Sequence, residues 1–89
     1  MTDFMSVYRW VNQNGFTMNK ILNSLIEIHG NKNYTIYVER ASEGYKCCAL
    51  GGNHPFVPMY DRYVETIDEV IQYLEDYKSL LTKGELEVF

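Results

Sequence analysis

Cysteine is scarce in this chain: Cys47 and Cys48 are the only two, and they are adjacent. Neighbours on an extended backbone point to opposite faces and cannot easily bond each other, and two cysteines do not make the disulfide framework of a small secreted domain. Reduced thiols are expected. Proline and glycine are also few, at two and six in 89 residues, while 46% of the chain is hydrophobic and 15% aromatic. That balance excludes a disordered or low-complexity segment and fits one folded domain, 1–89, with one core. No apolar run approaches the roughly 20 residues that span a bilayer. Met1 to Trp10 shows neither a basic leader nor a signal-type apolar stretch, so a cytoplasmic protein without a membrane partner is expected. Basic charge is short too, with eight Lys and Arg against twelve Asp and Glu and a formal net charge of −4. Neutralising phosphates takes clustered cations, and here they are scattered, so direct nucleic-acid binding is not expected.

Chemistry-bearing motifs are equally thin. Cys47, Cys48, His29 and His54 are the only Cys and His residues, and they form no CxxC or HxxxH pattern. No metal and no cofactor is expected. Gly51-Gly52-Asn53-His54 follows a strand and runs into Pro55, whereas a phosphate loop opens a helix and carries a lysine. Acid–base catalysis needs a carboxyl whose pKa burial has raised, and the acids here belong to a solvated helix face. A non-enzymatic protein is the expectation. The alternative is a thiol enzyme or redox protein built on Cys47, Cys48 and His54, for which no neighbour in sequence supplies an activating charge.

What the chain does have is a helix announced at both ends. Thr66 followed three residues on by Glu69 is a capping box, and Gly84 supplies a left-handed stop, so the spacing predicts one helix from Thr66 to Lys83. Ile67, Val70, Ile71, Tyr73, Leu74, Tyr77, Leu80 and Leu81 fall on one arc, with Asp68, Glu69, Gln72, Glu75, Asp76, Ser79 and Lys83 opposite. Ahead of it, Phe4, Val7, Tyr8 and Val11 at helical spacing suggest a short helix ending near Asn12, capped by Thr2 or Asp3, although the same residues also fit a strand. Met18 to His29 reads as a second helix, with Met18, Ile21, Leu22, Leu25, Ile28 and His29 on one face, Thr17 as cap and Gly30 as stop. His29 then sits in the last turn as a structural histidine satisfied by exposed carbonyls.

After Asn31-Lys32-Asn33 the period changes from 3.6 to 2. Tyr34, Ile36 and Val38 alternate with Thr35, Tyr37 and Glu39, and Ala41-Ser42-Glu43-Gly44 makes a hairpin loop. The pairing that follows is Arg40 with Tyr45, Glu39 with Lys46, Val38 with Cys47, Tyr37 with Cys48 and Ile36 with Ala49. It sets opposite charges across the outer face and leaves only apolar groups inside. Phe56 to Tyr63 is a third strand, which Pro58 confines to an edge. The predicted fold is α+β, a three-stranded antiparallel meander with the N-terminal and C-terminal helices on one face, in the order α(α)βββα. Leu86, Val88 and Phe89 form an apolar tail.

Two surfaces suit a protein partner. From Asp61 to Asp76 six carboxylates stand against one arginine, and the chain holds eight tyrosines. Tyr60, Asp61, Tyr63, Glu65, Asp68, Glu69, Gln72 and Asp76 make an acidic, tyrosine-bearing face suited to a basic partner such as the groove of a nucleic-acid-binding effector. Tyr37, Cys48 and Leu50, on the outer face of the sheet, are the alternative. A homodimer or an adaptor domain is the further alternative, because a lone three-stranded sheet leaves its edges uncovered.

In size, acidic balance, Tyr, Asn, Lys and Ile bias, and element order, the chain resembles the small anti-CRISPR and other anti-defence proteins of phages and mobile elements. The resemblance implies an inhibitor that blocks a nucleic-acid-binding effector with an acidic face. It rests on general build, so no functional residue is carried over from it.

Overall fold

The computed structural model describes residues 4–52 and 54–85, and the side chains of 54–56 are outside that description. The expected cap at Thr2 or Asp3, the tail Leu86 to Phe89 and the ring of His54 therefore lie outside the described residues. In chain order the elements are α1 (Met5–Gln13), β1 (Thr17–Leu22), β2 (Leu25–His29), β3 (Thr35–Ala41), β4 (Gly44–Gly51), β5 (His54–Val64), α2 (Ile67–Asp76) and α3 (Lys78–Thr82). The α+β expectation holds, and the N-terminal segment is a helix. The sheet, however, has five antiparallel strands in the order β1-β2-β3-β4-β5, not three.

The difference comes from Met18 to His29, which is a hairpin and not a helix. Thr17 pairs with His29, Met18 with Ile28, Lys20 with Ile26 and Leu22 with Leu25, so Asn23-Ser24 is a two-residue turn. A helix would have put Ile21 and Leu22 in the core, yet they are among the exposed large apolar residues. Ile26 and Ile28 are fully buried instead, in alternation with the half-buried Leu25, Glu27 and His29. β-branched isoleucine suits that pleated surface.

The β3–β4 hairpin has the anticipated register throughout, closed one step further by Ala41 opposite Gly44, so the turn itself is Ser42-Glu43. One face of the sheet carries Ile26, Ile28, Ile36, Val38, Cys47 and Ala49, all at 0% exposure, against Val7, Trp10 and Val11 of α1 and Val70, Tyr73, Leu74, Leu80 and Leu81 of the C-terminal helices. Full burial of each large aliphatic side chain contributes about 1.5–3 kcal/mol, which makes this single apolar layer the main stabilising term. Phe4, Val7 and Val11 are buried as the spacing predicts, and Trp10 joins them with its ring 5.5 Å from Phe16. The indole N–H donates to Glu75 Oε2 at 2.7 Å, tying α1 to α2.

The capping box is present: Thr66 Oγ1 accepts from the Glu69 amide at 3.2 Å and Glu69 Oε1 accepts from the Thr66 amide at 3.2 Å. The helix is not continuous to Lys83. Tyr77, at φ −110° and ψ 12°, ends α2 and starts α3, and the Leu80 amide donates to the Tyr77 carbonyl, a tighter step than the α-helical one. This turns Ser79, assigned to the polar arc, into the core at 8% exposure beside Leu80 and Leu81. Gly84, at φ 76°, closes the end as the left-handed stop, its amide donating to the Ser79 carbonyl at 3.1 Å.

Among the described residues no helix is long and apolar enough to cross a membrane.

Candidate interaction face

The two surfaces singled out in the sequence turn out to be neighbours, and the acidic one is divided by the fold. On β5, Met59 pairs with Ala49 and Arg62 with Cys47, so Tyr60 and Asp61 together face the single residue Cys48. That is a bulge, with one extra residue on β5. Tyr60 sits at its centre with φ 59°, a conformation a bulky residue rarely takes. The bulge turns Tyr60 toward the helices, where its ring lies 5.2 Å from Tyr77 and its carbonyl accepts from the Tyr73 hydroxyl at 2.9 Å. Arg62 follows on the same side: its guanidinium is over Tyr73 at 5.3 Å and Tyr77 at 5.6 Å and donates to Asp76 Oδ2 at 2.9 Å.

Asp61 and Tyr63 alternate with these residues and so stand on the outer face, where Tyr63 pairs with Lys46. Tyr63 is 73% exposed, the largest value among the exposed apolar and aromatic side chains, and the Lys46 ammonium lies 5.7 Å from its ring centre. The Tyr63 phenol and the Asp61 carboxylate beside Lys46 hold that ammonium protonated to higher pH than usual. Glu65 and Asp68 are exposed just beyond, at the start of α2. A depression of about 350 Å³ opens next to Tyr63, between Glu43, Tyr45 and Glu65.

The helix side of the predicted surface is differently used. Glu69 is held in the capping box, with further bonds from Thr66 Oγ1 at 3.0 Å and the Glu65 amide at 3.3 Å. Gln72 donates to Asp76 Oδ1 at 2.9 Å, so Asp76 is held by Gln72 and Arg62 together, and both lower its pKa. Glu65, Glu69, Gln72 and Asp76 thus do not form a free line of charge, since three of the four are satisfied within the chain.

The alternative residues Tyr37, Cys48 and Leu50 are on the outer face as expected, each half-buried. Sequence reasoning missed their surroundings. Because β1 and β2 extend the sheet, Asn19, Glu27, Tyr37 and Cys48 lie in one cross-strand row, and Thr17, His29, Thr35 and Leu50 in the next. Asn19 donates to Glu27 at 3.2 Å, His29 Nε2 is 3.0 Å from Glu27 Oε1, and Thr35 Oγ1 is 3.2 Å from His29 Nδ1. His29 is therefore a satisfied histidine, but on a strand, not at a helix end. Its bond to Glu27 is the main cause of that carboxylate's lowered pKa. The signal for this network was alternation at 19, 27 and 29, masked by the helical spacing of the apolar residues between them.

The thiols stand apart from one another. Cys47 is buried, and desolvation pushes its pKa up to about 12, while burial and then the Asp61 charge raise that of Cys48. Both are protonated thiols at neutral pH, poor nucleophiles and poor metal ligands. Among the described residues no group of three or more His, Cys, Asp or Glu is placed to hold a metal ion.

Comparison with protein-family models, with curated proteins and with solved structures gave no match.

Proposed function

We propose that this chain is a non-catalytic binding protein that engages a basic protein surface through the outer face of β5, with Tyr63 as anchor and Asp61, Glu65 and Asp68 as the surrounding charge. The observation that carries this reading is the exposure of Tyr63, 73%, where every other described aromatic ring but Tyr60, at 37%, is buried or half-buried. An exposed tyrosine with the exposed carboxylates Asp61 and Glu65 two residues to either side of it in the chain, and Lys46 over its ring, has the composition of a binding hot spot: the ring supplies desolvated contact area and the acids speed encounter with a cationic partner. The partner is a protein with a basic groove of the kind that grips nucleic acid, and blocking that groove makes an inhibitor of the anti-defence type. Relative to the sequence-based surface, the centre moves from the helix to the sheet, because Glu69 and Asp76 already have partners in the chain.

The reading is tested by NMR titration of the intact protein with an arginine-rich peptide. Selective shifts at Lys46, Cys48, Asp61 and Tyr63 that weaken at least about tenfold in Tyr63→Ala, and that fall with salt over a screening length of about 8 Å at physiological ionic strength, support it. Shifts spread evenly over all acidic positions, or centred on Glu69 and Asp76, would overturn it.

A second copy of the chain is the other reading, favoured by one observation. The two edges of the sheet are unequally protected: β5 carries Pro55, Pro58 and a bulge, whereas β1 has no proline and leaves Ile21 and Leu22 at 49% and 59% exposure. Pairing of two β1 edges would cover them. Sedimentation at micromolar concentration showing only a 10.5 kDa species removes this reading.

A further inference from the structure

The depression beside Tyr63 is built where the β3–β4 turn closes on the end of β5. Ala41 faces Gly44 across that hairpin, so Ser42-Glu43 forms its tip. Gly44, at φ 148°, lies against the neighbouring strand: a Cβ there would collide with the Val64 carbonyl oxygen and stand 3.2 Å from Glu65 Cα. Only glycine permits that approach. It brings Glu43 and Glu65, distant in sequence, to the rim of one concavity of about 350 Å³.

The walls of this concavity divide by chemistry. Tyr45 and Tyr63 are the aromatic members and Ala41 and Val64 the aliphatic ones, while Glu43 and Glu65 carry the only charges among its described lining residues. Tyr45 is half-buried with its ring 6.2 Å from that of Phe4 in the core, whereas Tyr63 is exposed, so a fixed aromatic floor meets an accessible aromatic wall. Both glutamates are exposed, and Glu65 uses its backbone amide, not its carboxylate, in the bond to Glu69 Oε1 at 3.3 Å. They differ in this from Glu69 and Asp76, whose carboxylates are held within the chain. The Lys46 ammonium stands 5.7 Å from the Tyr63 ring centre, and Lys46 does not line the depression, so the ring meets it on another side.

An accessible ring beside two carboxylates discriminates between cations. A guanidinium is flat, stacks on an aromatic face and offers a carboxylate two parallel N–H bonds, whereas an ammonium is a compact and strongly hydrated point charge. The apolar stem of an arginine also suits the Ala41 and Tyr45 side of the lining.

We infer that this depression receives an arginine side chain of the basic partner, with its guanidinium on Tyr63 and between Glu43 and Glu65. The arginine pocket rests on the Tyr63 face proposed above, and Glu43 belongs to the pocket alone.

The experiment is an NMR titration of the intact chain at low ionic strength with an arginine-rich peptide and with its counterpart in which every arginine is lysine. Saturable shifts of the Ser42, Glu43, Gly44 and Glu65 amides are expected with the arginine peptide, and the lysine peptide should bind more weakly by about threefold or more. Glu43→Gln should weaken binding of the arginine peptide by about threefold or more, the scale of one exposed ion pair. Glu43 is exposed at the tip of a turn, so this variant keeps the fold, which its amide spectrum away from the turn verifies. Equal affinity for the two peptides, or a folded Glu43→Gln with unchanged affinity, would overturn the pocket, and shifts still present at Cys48, Asp61 and Tyr63 would leave the face standing. Arginine-selective shifts at the turn with none at Cys48 or Asp61 would support the pocket and overturn the face. Shifts that saturate at neither place would overturn both.

Discussion

The Tyr73 hydroxyl donates a hydrogen bond of 2.9 Å to the carbonyl of Tyr60, joining a fully buried ring of α2 to the one non-glycine residue with positive φ among those described. Through that bond the helix fixes the bulge of β5, and the bulge decides which way Tyr60, Asp61 and Tyr63 point. Tyr73→Phe removes the donor and leaves the strained carbonyl without it. Loss of about 1–3 kcal/mol is expected, by analogy with other buried groups left unsatisfied. Urea unfolding reads the stability, and faster amide exchange at Asp61 and Arg62 than elsewhere in β5 reads the loosened bulge. A stability change within error would show that the bulge holds without the helix.

Trp10 and Glu75 make the other link between helices. The bond runs from a nearly buried indole N–H to a carboxylate at 2.7 Å, and bonds to charged groups contribute about 1.5–3 kcal/mol. Glu75→Ala should therefore destabilise by that order and red-shift the emission of the single tryptophan. Unchanged emission in the folded variant would mean that the indole finds another acceptor.

Thr66→Ala removes one arm of the capping box and should cost about 0.5–2 kcal/mol in denaturant midpoint experiments. Glu69→Lys should do comparable damage, because Glu69 accepts from the Thr66 amide and hydroxyl. Charge reversal at this position thus tests helix stability before it tests binding, whereas Asp61→Lys on the outer face leaves the cap untouched. Equal stability of Glu69→Lys and wild type would return Glu69 to the list of free surface acids.

Stability should fall on the acid side. Glu27 and Asp76 have folded pKa values below their ordinary 4.5 and 3.8, so the folded state binds fewer protons than the unfolded state as pH drops through that range. Their contribution is full above the ordinary values and is lost as pH falls through the depressed ones. Asp76 is exposed and Glu27 half-buried beside His29, so solvent screening makes the Asp76 contribution the more modest one. Urea midpoints between pH 7 and pH 2.5 should decline below roughly pH 4.5, with a shallower decline in Asp76→Asn. A decline of the same steepness in the variant would remove Asp76 from the account.

The thiols give an alkaline and a chemical test. Burial raises Cys47 to about 12, so the stability it brings is complete below its ordinary value of 9.0 and is lost as pH climbs from there. At neutral pH a thiol-specific reagent should modify Cys48 slowly and Cys47 only on unfolding. Rapid modification of both in the folded protein would restore the thiol-chemistry alternative.

What the sequence determined by itself is what local chemistry decides. The capping box at Thr66 and Glu69, the Gly84 stop and the Glu39–Lys46 register involve residues a few positions apart, so their physics is complete within the string. Phe4, Val7 and Val11 were legible as a helical face for the same reason. Met18 to His29 was not, because its apolar residues satisfy both periods, and only the pairing of Ile26 with Val38 and Ile28 with Ile36 buries them as strands. Likewise the break at Tyr77 follows from packing against Tyr60 and Tyr73, which places Ser79 inside against its helical phase. The candidate face divided along the same line. Exposure of acids near Tyr63 could be read from composition, but the bulge that separates Asp61 and Tyr63 from Asp76 rests on a bond between residues thirteen apart. Contacts between distant segments carry no periodic signature in sequence, and here they decide which carboxylates remain open to a partner.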